Sequence, residues 1–257
     1  MRARLQALSL AGCALALTGG GAVRADAAAA DTRPVRPPAA ATPFGTERLS
    51  DETRVTRVAN AVLRSRVRRL PTASSKAVGR LRFQTEDGPL EVYLALESYL
   101  DRAGRLWIRV RLPMRPNGRT GWVMRDALGP LRVVTTNMRV NRRTLRATLY
   151  KDGRKIWSSR IGVGKAGTPT PRGRFWIRER LRNLGGNGVY GPWAFGTAAY
   201  SKLSDWPGGG VIGIHGTNQP GLLPGRVSHG CIRVPNDKIR RLAKLMPIGT
   251  PVRIIGV

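Results

Sequence analysis

The stretch Ser228-His229-Gly230-Cys231-Ile232-Arg233 places a histidine and a cysteine on either side of a glycine. The other histidine, His215, ends a short apolar β-type run and is followed by Gly216-Thr217-Asn218. A thiol with an ordinary pKa of about 8.5 is mostly protonated at neutral pH, and a nearby imidazole can take its proton. Glycine beside the nucleophile lets an acyl carbon approach and leaves backbone N–H groups for an oxyanion. This spacing therefore predicts a cysteine nucleophile with a histidine base.

Two other interpretations of the same residues stay open. His215, His229 and Cys231 could be three zinc ligands, but a closed site would then need a carboxylate as its fourth ligand. Cys231 could instead be a buried, unreactive thiol. The role of His229 could be structural or chemical. If residues 229–231 form a strand, both side chains lie on one face, which leaves the more distant His215 as the base. We predict no metal and no cofactor.

Composition restricts the class of protein. The chain has 257 residues, 45 Lys and Arg against 15 Asp and Glu, a net charge of +30 and 41% hydrophobic residues. This hydrophobic content excludes a disordered polycation, and two cysteines exclude a disulfide-stapled scaffold. Without an apolar stretch of about 18 residues, a multi-span membrane protein is also excluded. The basic excess predicts attraction to polyanions, which include nucleic acid, anionic lipid and anionic cell wall polymers.

Residues 1–25 have the plan of a secretory signal peptide. A short basic segment, Met1 to Arg4, precedes the mostly apolar segment Leu5 to Leu17, and small residues suited to cleavage follow. Leu10 to Cys13 also resembles a lipobox, so lipidation of Cys13 is the alternative that would anchor the protein in a membrane. Residues 26–52, rich in Ala, Pro and Thr, are predicted to be a disordered linker.

The rest of the chain has the pattern of two β-rich domains, residues 53–131 and 132–257. The first contains short β-type runs around the turn signal Arg115 to Gly118. Its tryptophans, Trp107 and Trp122, are predicted to lie in the core rather than to form a ligand platform. In the second domain, Lys151-Asp152-Gly153 predicts a hairpin turn, and Asp237 to Met246 is the one clear amphipathic helix.

Several motifs within residues 132–257 resemble the L,D-transpeptidase catalytic (YkuD-type) domain. His215 followed after twelve residues by Ser228 to Arg233 is similar to the family signature, and Gly167 to Phe175 and Gly249 to Ile254 also match. Gly118 to Val123 resembles the end of bacterial SH3-like domains. The resemblance implies a mostly β fold, with a small SH3-like barrel followed by a β-sandwich-like catalytic domain that carries one or two short helices.

The resemblance also implies roles for individual residues. Cys231 would be the nucleophile and His215 the general base, oriented by the carbonyl of Gly216. His229 would support the site, and backbone N–H groups around Gly230 and Cys231 would stabilise the oxyanion. The residues expected to contact the substrate are Ser228, Arg233, Thr217, Asn218 and Tyr190. Tyr190 would lie on a glycine-rich lid loop over residues 185–196.

Family chemistry implies exported peptidoglycan remodelling in the cell wall or periplasmic space. Cys231 would form a thioester with a donor tetrapeptide stem and release D-Ala, and the side-chain amine of an acceptor stem would complete a 3→3 cross-link. Water as acceptor would make the same site an L,D-carboxypeptidase, and carbapenems would acylate the thiol. A non-catalytic wall-binding protein is an alternative, as is a nucleic-acid binder, although a signal peptide argues against the latter. The expected partners are thus stem peptides and anionic wall polymers, not nucleic acid, with membrane association only if Cys13 is lipidated.

Overall fold

The computed structural model describes residues 45–182, 188–205 and 207–256. The predicted signal peptide, Cys13, most of the predicted linker and residues 183–187 of the predicted lid loop lie outside these ranges. The described residues belong to one compact unit. They form 18 strands, one α-helix and three short 3₁₀ helices, which confirms the prediction of a mostly β protein. Within these ranges, no helix has the length and apolar character needed to cross a membrane.

The N-terminal part forms an eight-stranded sheet. Its strands are β1 Thr46–Arg48, β2 Thr56–Asn60, β3 Arg66–Arg68, β4 Ala77–Arg80, β5 Val92–Leu100, β6 Leu106–Arg111, β7 Thr120–Met124 and β8 Arg132–Val134. Seven strands follow the order β4-β3-β7-β6-β5-β2-β8, and β1 also pairs with β5. Because Thr46–Arg48 form a strand, the predicted disordered linker does not extend to residue 52. Leu49 and Ser50 are buried, and Ser50 Oγ donates to the carbonyl of Ala95.

The C-terminal part forms a ten-stranded sheet with the order β11-β10-β9-β18-β13-β14-β15-β17-β12-β16. Its strands are β9 Thr136–Asn141, β10 Arg146–Lys151, β11 Arg154–Arg160, β12 Gly162–Gly164, β13 Gly173–Arg182, β14 Trp193–Tyr200, β15 Val211–His215, β16 Gly225–Ser228, β17 Ile232–Arg233 and β18 Pro251–Ile255. The helix α1 spans Asn236–Leu245 and buries Ile239, Leu242 and Ala243. The 3₁₀ helices are Arg125–Ala127, Pro207–Gly210 and Pro220–Leu222.

The two sheets share one hydrophobic core. Val92 and Leu94 of β5 belong to the same buried cluster as Phe175 and Trp176 of β13. The Trp176 indole N–H donates to the carbonyl of Val92 at 2.6 Å. A second cluster lies within the N-terminal sheet alone. Trp107 and Trp122 are 3% and 9% exposed, so their predicted burial is confirmed. The SH3-like barrel and a domain boundary at residue 131 stay predictions.

Local turns set the strands that carry the reactive residues. Asp152 and Gly153 have φ of 50° and 79°, the left-handed pair that a tight two-residue hairpin requires, and this confirms the predicted turn. Strand β15 ends at His215, as predicted. Strand β14 begins at Trp193, so the structured sheet extends into the segment predicted as a lid loop.

Candidate active site

Strands β15 and β17 bring His215 and Cys231 to one face of the sheet. They run parallel, with Ile214 opposite Ile232 and His215 opposite Arg233. Because side chains alternate along a strand, Gly213 and His215 share a face, and Cys231 lies beside Gly213. The Gly213 N–H donates to Cys231 Sγ at 3.4 Å. A Cβ placed on Gly213 would lie 3.9 Å from Sγ and 3.6 Å from His215 Cδ2, so the thiol and the imidazole flank a bare Cα.

The contacts of His215 fix its tautomer. Its Nδ1 lies 2.6 Å from the carbonyl oxygen of Gly216, the group that the family resemblance implied would orient it. A carbonyl only accepts hydrogen bonds, so Nδ1 carries the proton and Nε2 is left as the basic atom. The Tyr190 ring meets the imidazole edge to face, with centroids 4.9 Å apart. Burial, with a smaller contribution from the Arg233 charge, lowers the pKa of His215 to about 4. The hydrogen bond to Gly216 acts in the opposite direction but does not outweigh burial. The imidazole is thus neutral at pH 7.

Burial also acts on the thiol. It raises the pKa of Cys231, and the Gly213 N–H and the Arg233 charge only partly oppose this effect. Desolvation disfavours whichever form of a group is charged, so it holds the thiol protonated and the imidazole neutral. The resting pair is therefore a thiol beside a neutral base rather than a thiolate–imidazolium pair.

The chain between β16 and β17 turns sharply at Gly230. Its φ is +127°, so His229 and Cys231 do not lie on one continuous strand, and the shared strand face considered for them does not arise. Ser228 Oγ accepts the Gly230 N–H at 3.1 Å and donates to the Cys231 carbonyl at 2.6 Å. Thr170 Oγ1 donates to the Gly230 carbonyl at 2.7 Å. These bonds hold the backbone that carries Cys231.

Two supporting residues, Thr170 and Asn236, are absent from the predicted site, although both lie in segments with recognisable motifs. Thr170 is 1% exposed, and its hydroxyl accepts the Gly164 N–H at 2.9 Å. Asn236 Oδ1 accepts the Thr217 N–H at 2.9 Å. A Cβ on Gly216 would lie 2.4 Å from that oxygen, so only glycine fits there without a shift. Asn236 thereby fixes the segment that carries the Gly216 carbonyl.

A pocket of about 260 Å³ opens over the thiol. It is lined by Val189, Tyr190, His215, Ser228, His229, Cys231 and Arg233. Six of these are predicted site residues, whereas Thr217 is buried and Asn218 is exposed outside the lining. Arg233 Nη1 donates to Gln219 Oε1 at 3.1 Å, and its buried Nε has no partner among the described residues. In that part of the chain, no three His, Cys, Asp or Glu side chains are grouped to hold a metal ion.

Sequence comparison gives consistent matches. The model of the L,D-transpeptidase catalytic domain family matches residues 136–254. The chain is 43% identical over 115 residues to the L,D-transpeptidase YkuD of Bacillus licheniformis, covering 45% of this chain and 61% of that protein. It is 31% identical over 123 residues to the L,D-transpeptidase YqjB of Bacillus subtilis, covering 45% of this chain and 68% of that protein.

Structure comparison gives a weaker likeness. The catalytic domain of an E. faecium L,D-transpeptidase, solved by NMR, aligns with 26% identity and a TM-score of 0.35, covering 47% of this chain and 96% of that one. The family assignment rests on the sequence matches. The chain spans 61% of the Bacillus licheniformis YkuD and 58% of its Bacillus subtilis counterpart, less than two thirds of either length.

Proposed function

The chain belongs to the L,D-transpeptidase family, and on that premise we propose that it forms 3→3 cross-links in peptidoglycan through a thioester on Cys231. One observation carries the proposal: the Cys231 thiol and the basic Nε2 side of His215 flank the bare Cα of Gly213 beneath an open pocket. A nucleophile, a base and a group that orients the base are the three parts that acyl transfer needs.

In the first half-reaction, His215 Nε2 accepts the thiol proton as Sγ bonds to the carbonyl carbon of residue three of the donor stem. Negative charge then develops on the carbonyl oxygen. Ser228 already engages the Gly230 N–H, so of the two predicted donors the Cys231 N–H is the one we assign to this oxygen. The C–N bond breaks, His215 returns the proton to the departing D-Ala amine, and a thioester remains.

In the second half-reaction, the side-chain amine of an acceptor stem attacks the thioester carbonyl. The amine must be neutral to attack, and His215 Nε2 takes the proton that its nitrogen loses. As the C–S bond breaks, that proton returns to the sulfur and a new amide joins the two stems. Water attacking in place of the amine would leave a tripeptide, the carboxypeptidase outcome.

The pocket lining favours an anionic donor. Arg233 contributes a guanidinium, and none of the described residues that line the cavity is a carboxylate. The buried Arg233 Nε–H, without a partner among the described residues, is a donor that a substrate carboxylate would satisfy. His229 at the rim, Ser228 beneath the turn and Tyr190 over the imidazole complete the proposed site.

We place the protein outside the cytoplasmic membrane, in the cell wall or periplasmic space. The signal-peptide pattern of residues 1–25 and the net charge of +30 support this, because the substrate class is external and the wall is anionic. An SH3-like N-terminal domain that contacts the wall belongs to the same proposal. Carbapenems are the expected inhibitors, through acylation of Cys231.

The test is product analysis with a disaccharide tetrapeptide. Purified protein and Cys231→Ala are incubated with it, and the products are read by mass spectrometry. A dimer that has lost one D-Ala, absent from the mutant, supports the proposal. Tripeptide alone assigns carboxypeptidase activity. Absence of both products, together with no carbapenem adduct on Cys231, overturns the proposal that the protein is an enzyme and favours a wall-binding protein.

A further inference from the structure

A second pocket, of about 490 Å³, lies on the N-terminal sheet beside Arg174 of β13. Its volume is in the range of about 300–1,000 Å³ that is usual for small-ligand sites. It shares no lining residue with the pocket over Cys231. Its charged lining side chains are Arg174 of the C-terminal sheet and, from the N-terminal part of the chain, Arg48, Asp51, Glu52, Glu97, Arg109 and Arg111.

Strand register places three of these charges in one row. Arg48 of β1 lies opposite Glu97 of β5, which in turn lies opposite Arg109 of β6. Residues directly opposite each other on neighbouring strands point to the same face. Arg109 Nη1 donates to Glu97 Oε2 at 3.2 Å, and its Nε and Nη2 lie 3.3 and 3.2 Å from Thr120 Oγ1. The Arg109 guanidinium is therefore held in place on a regular strand.

Positive charge in the pocket exceeds the carboxylate available to neutralise it. Arg111 binds Glu52 through two contacts of 2.7 and 3.3 Å, and Arg174 reaches the same carboxylate only at 3.5 Å. Burial raises the pKa of Asp51, but backbone N–H groups at residues 53–55 outweigh it and lower the pKa to about 2, so this carboxylate is already engaged. The exposed Arg48 lies opposite Glu97 in the strand register but forms no ion pair with a carboxylate within the part of the chain that the structure describes.

We propose that this pocket binds a short zwitterionic peptide, with a ligand carboxylate at Arg48 and Arg174 and a ligand ammonium at Glu97. Guanidinium groups recognise carboxylates through paired hydrogen bonds, which suits the two under-neutralised arginines. The Glu97 side chain is 33% exposed and its one ion pair is at 3.2 Å, so it can accept from a second cation. If the proposed function holds, on which this step rests, the peptide is a second peptidoglycan stem held away from Cys231.

The probe is the disaccharide tetrapeptide, titrated into full-length ¹⁵N-labelled protein carrying Cys231→Ala to prevent turnover. We expect shifts of the Leu96, Gly118 and Thr120 amides, which report this pocket, in addition to shifts of Gly213 and His215, which report the catalytic pocket. Arg48→Ala should weaken the peptide affinity measured from the Leu96, Gly118 and Thr120 shifts about tenfold, as expected for loss of one charge-assisted hydrogen bond. The affinity measured from the Gly213 and His215 shifts should stay unchanged. Arg66→Ala is the matched control, because it removes the same charge from an exposed strand position outside the lining.

Two modified probes test the ligand class. Amidating the peptide carboxylates should abolish the first set of shifts, and acetylating the side-chain amine should weaken it. No shift at Leu96, Gly118 and Thr120 at millimolar peptide overturns the inference. It is also overturned if Arg66→Ala weakens peptide binding as much as Arg48→Ala, or if the disaccharide without peptide binds as well as the disaccharide tetrapeptide. These outcomes leave the proposed function intact, because Gly213 and His215 and the product analysis report on it separately.

Discussion

Gly213 donates its backbone N–H to Cys231 Sγ across 3.4 Å and leaves the sheet open between that sulfur and the His215 ring. The thiol and its base therefore depend on a position without a side chain. In the proposed mechanism, this relationship would allow a buried thiol with a raised pKa to be acylated. A proton would pass to the nearby neutral imidazole as the C–S bond forms, so no stable thiolate would be needed.

Gly213→Ala should fold normally and acylate slowly. The added methyl would make ordinary contacts of 3.6 and 3.9 Å with His215 and Cys231, so it fits sterically but occupies the space between them. We expect the carbapenem acylation rate to fall about tenfold to a hundredfold, as for a small displacement of reacting groups. Gly221→Ala is the control, because nothing lies within 4 Å of its Cβ position. Equal rates in the two variants would contradict the role assigned to Gly213.

Stability should decrease as pH falls from about 6.5 to 4. Burial lowers the pKa of His215 to about 4 in the folded protein from 6.5, so within this window the unfolded state binds the additional proton. The resulting loss in the free energy of unfolding is about 3 kcal/mol. It is complete below the folded-state pKa of His215 and absent above the unfolded-state pKa. Urea unfolding at pH 7.0 and pH 4.5 measures it. His215→Gln should make the free energy of unfolding less dependent on pH in this window. An unchanged pH dependence in that variant would assign the effect to other residues.

Thr170→Val should loosen the turn that carries Cys231. The substitution keeps the side-chain shape but removes the hydroxyl between the Gly164 N–H and the Gly230 carbonyl. Leaving these buried groups unpaired should lower the free energy of unfolding by about 1–3 kcal/mol and slow acylation. Thr168→Val, which loses only a 3.4 Å contact, should cost less than about 1 kcal/mol. Chemical denaturation of both variants gives the comparison, and equal losses would refute the assignment.

Breaking the buried ion pair between Arg178 and Glu91 should lower the free energy of unfolding more than Thr170→Val does. Arg178 and Glu91 are both fully buried, with Arg178 Nε 2.8 Å from Glu91 Oε1. Arg178→Met leaves the Glu91 charge poorly compensated and should cost about 3–5 kcal/mol, part of which Glu91→Gln should restore. Arg105→Met breaks a pair in which the arginine side chain is 45% exposed, and Asp101 keeps its hydrogen bond from the Trp107 indole N–H, so the loss should be at most about 1 kcal/mol. Denaturant titration separates the two, and a loss below 1 kcal/mol for Arg178→Met would show that the pair does not hold the sheets together.

Features set by short-range chemistry could be predicted from the sequence. The Asp152-Gly153 turn, the strand ending at His215 and the apolar face of α1 each depend on neighbouring residues. The pairing of His215 with Cys231 follows from their residue types and from the glycines beside them. The contact between His215 and Gly216 that fixes the tautomer was implied by the family resemblance.

Long-range contacts could not be read from local patterns. Strand β18 inserts between β9 and β13, a pairing between distant parts of the chain that no periodicity encodes. Thr170 and Asn236 act through one hydroxyl and one amide oxygen across the fold, and neither residue type signals this by itself. The turn at Gly230 rules out the strand considered for residues 229–231, because its φ of +127° is incompatible with a regular ladder.

The most direct test of the Cys231 thioester is the mass of the intact protein during reaction with the disaccharide tetrapeptide. The proposed mechanism predicts a covalent adduct equal to the donor minus D-Ala, located on Cys231 by peptide mapping and absent from Cys231→Ala. His215→Gln should accumulate it about a hundredfold to ten-thousandfold more slowly, as expected for loss of a general base. Product formation without an adduct on Cys231, or an adduct that persists in Cys231→Ala, would contradict a thioester on Cys231.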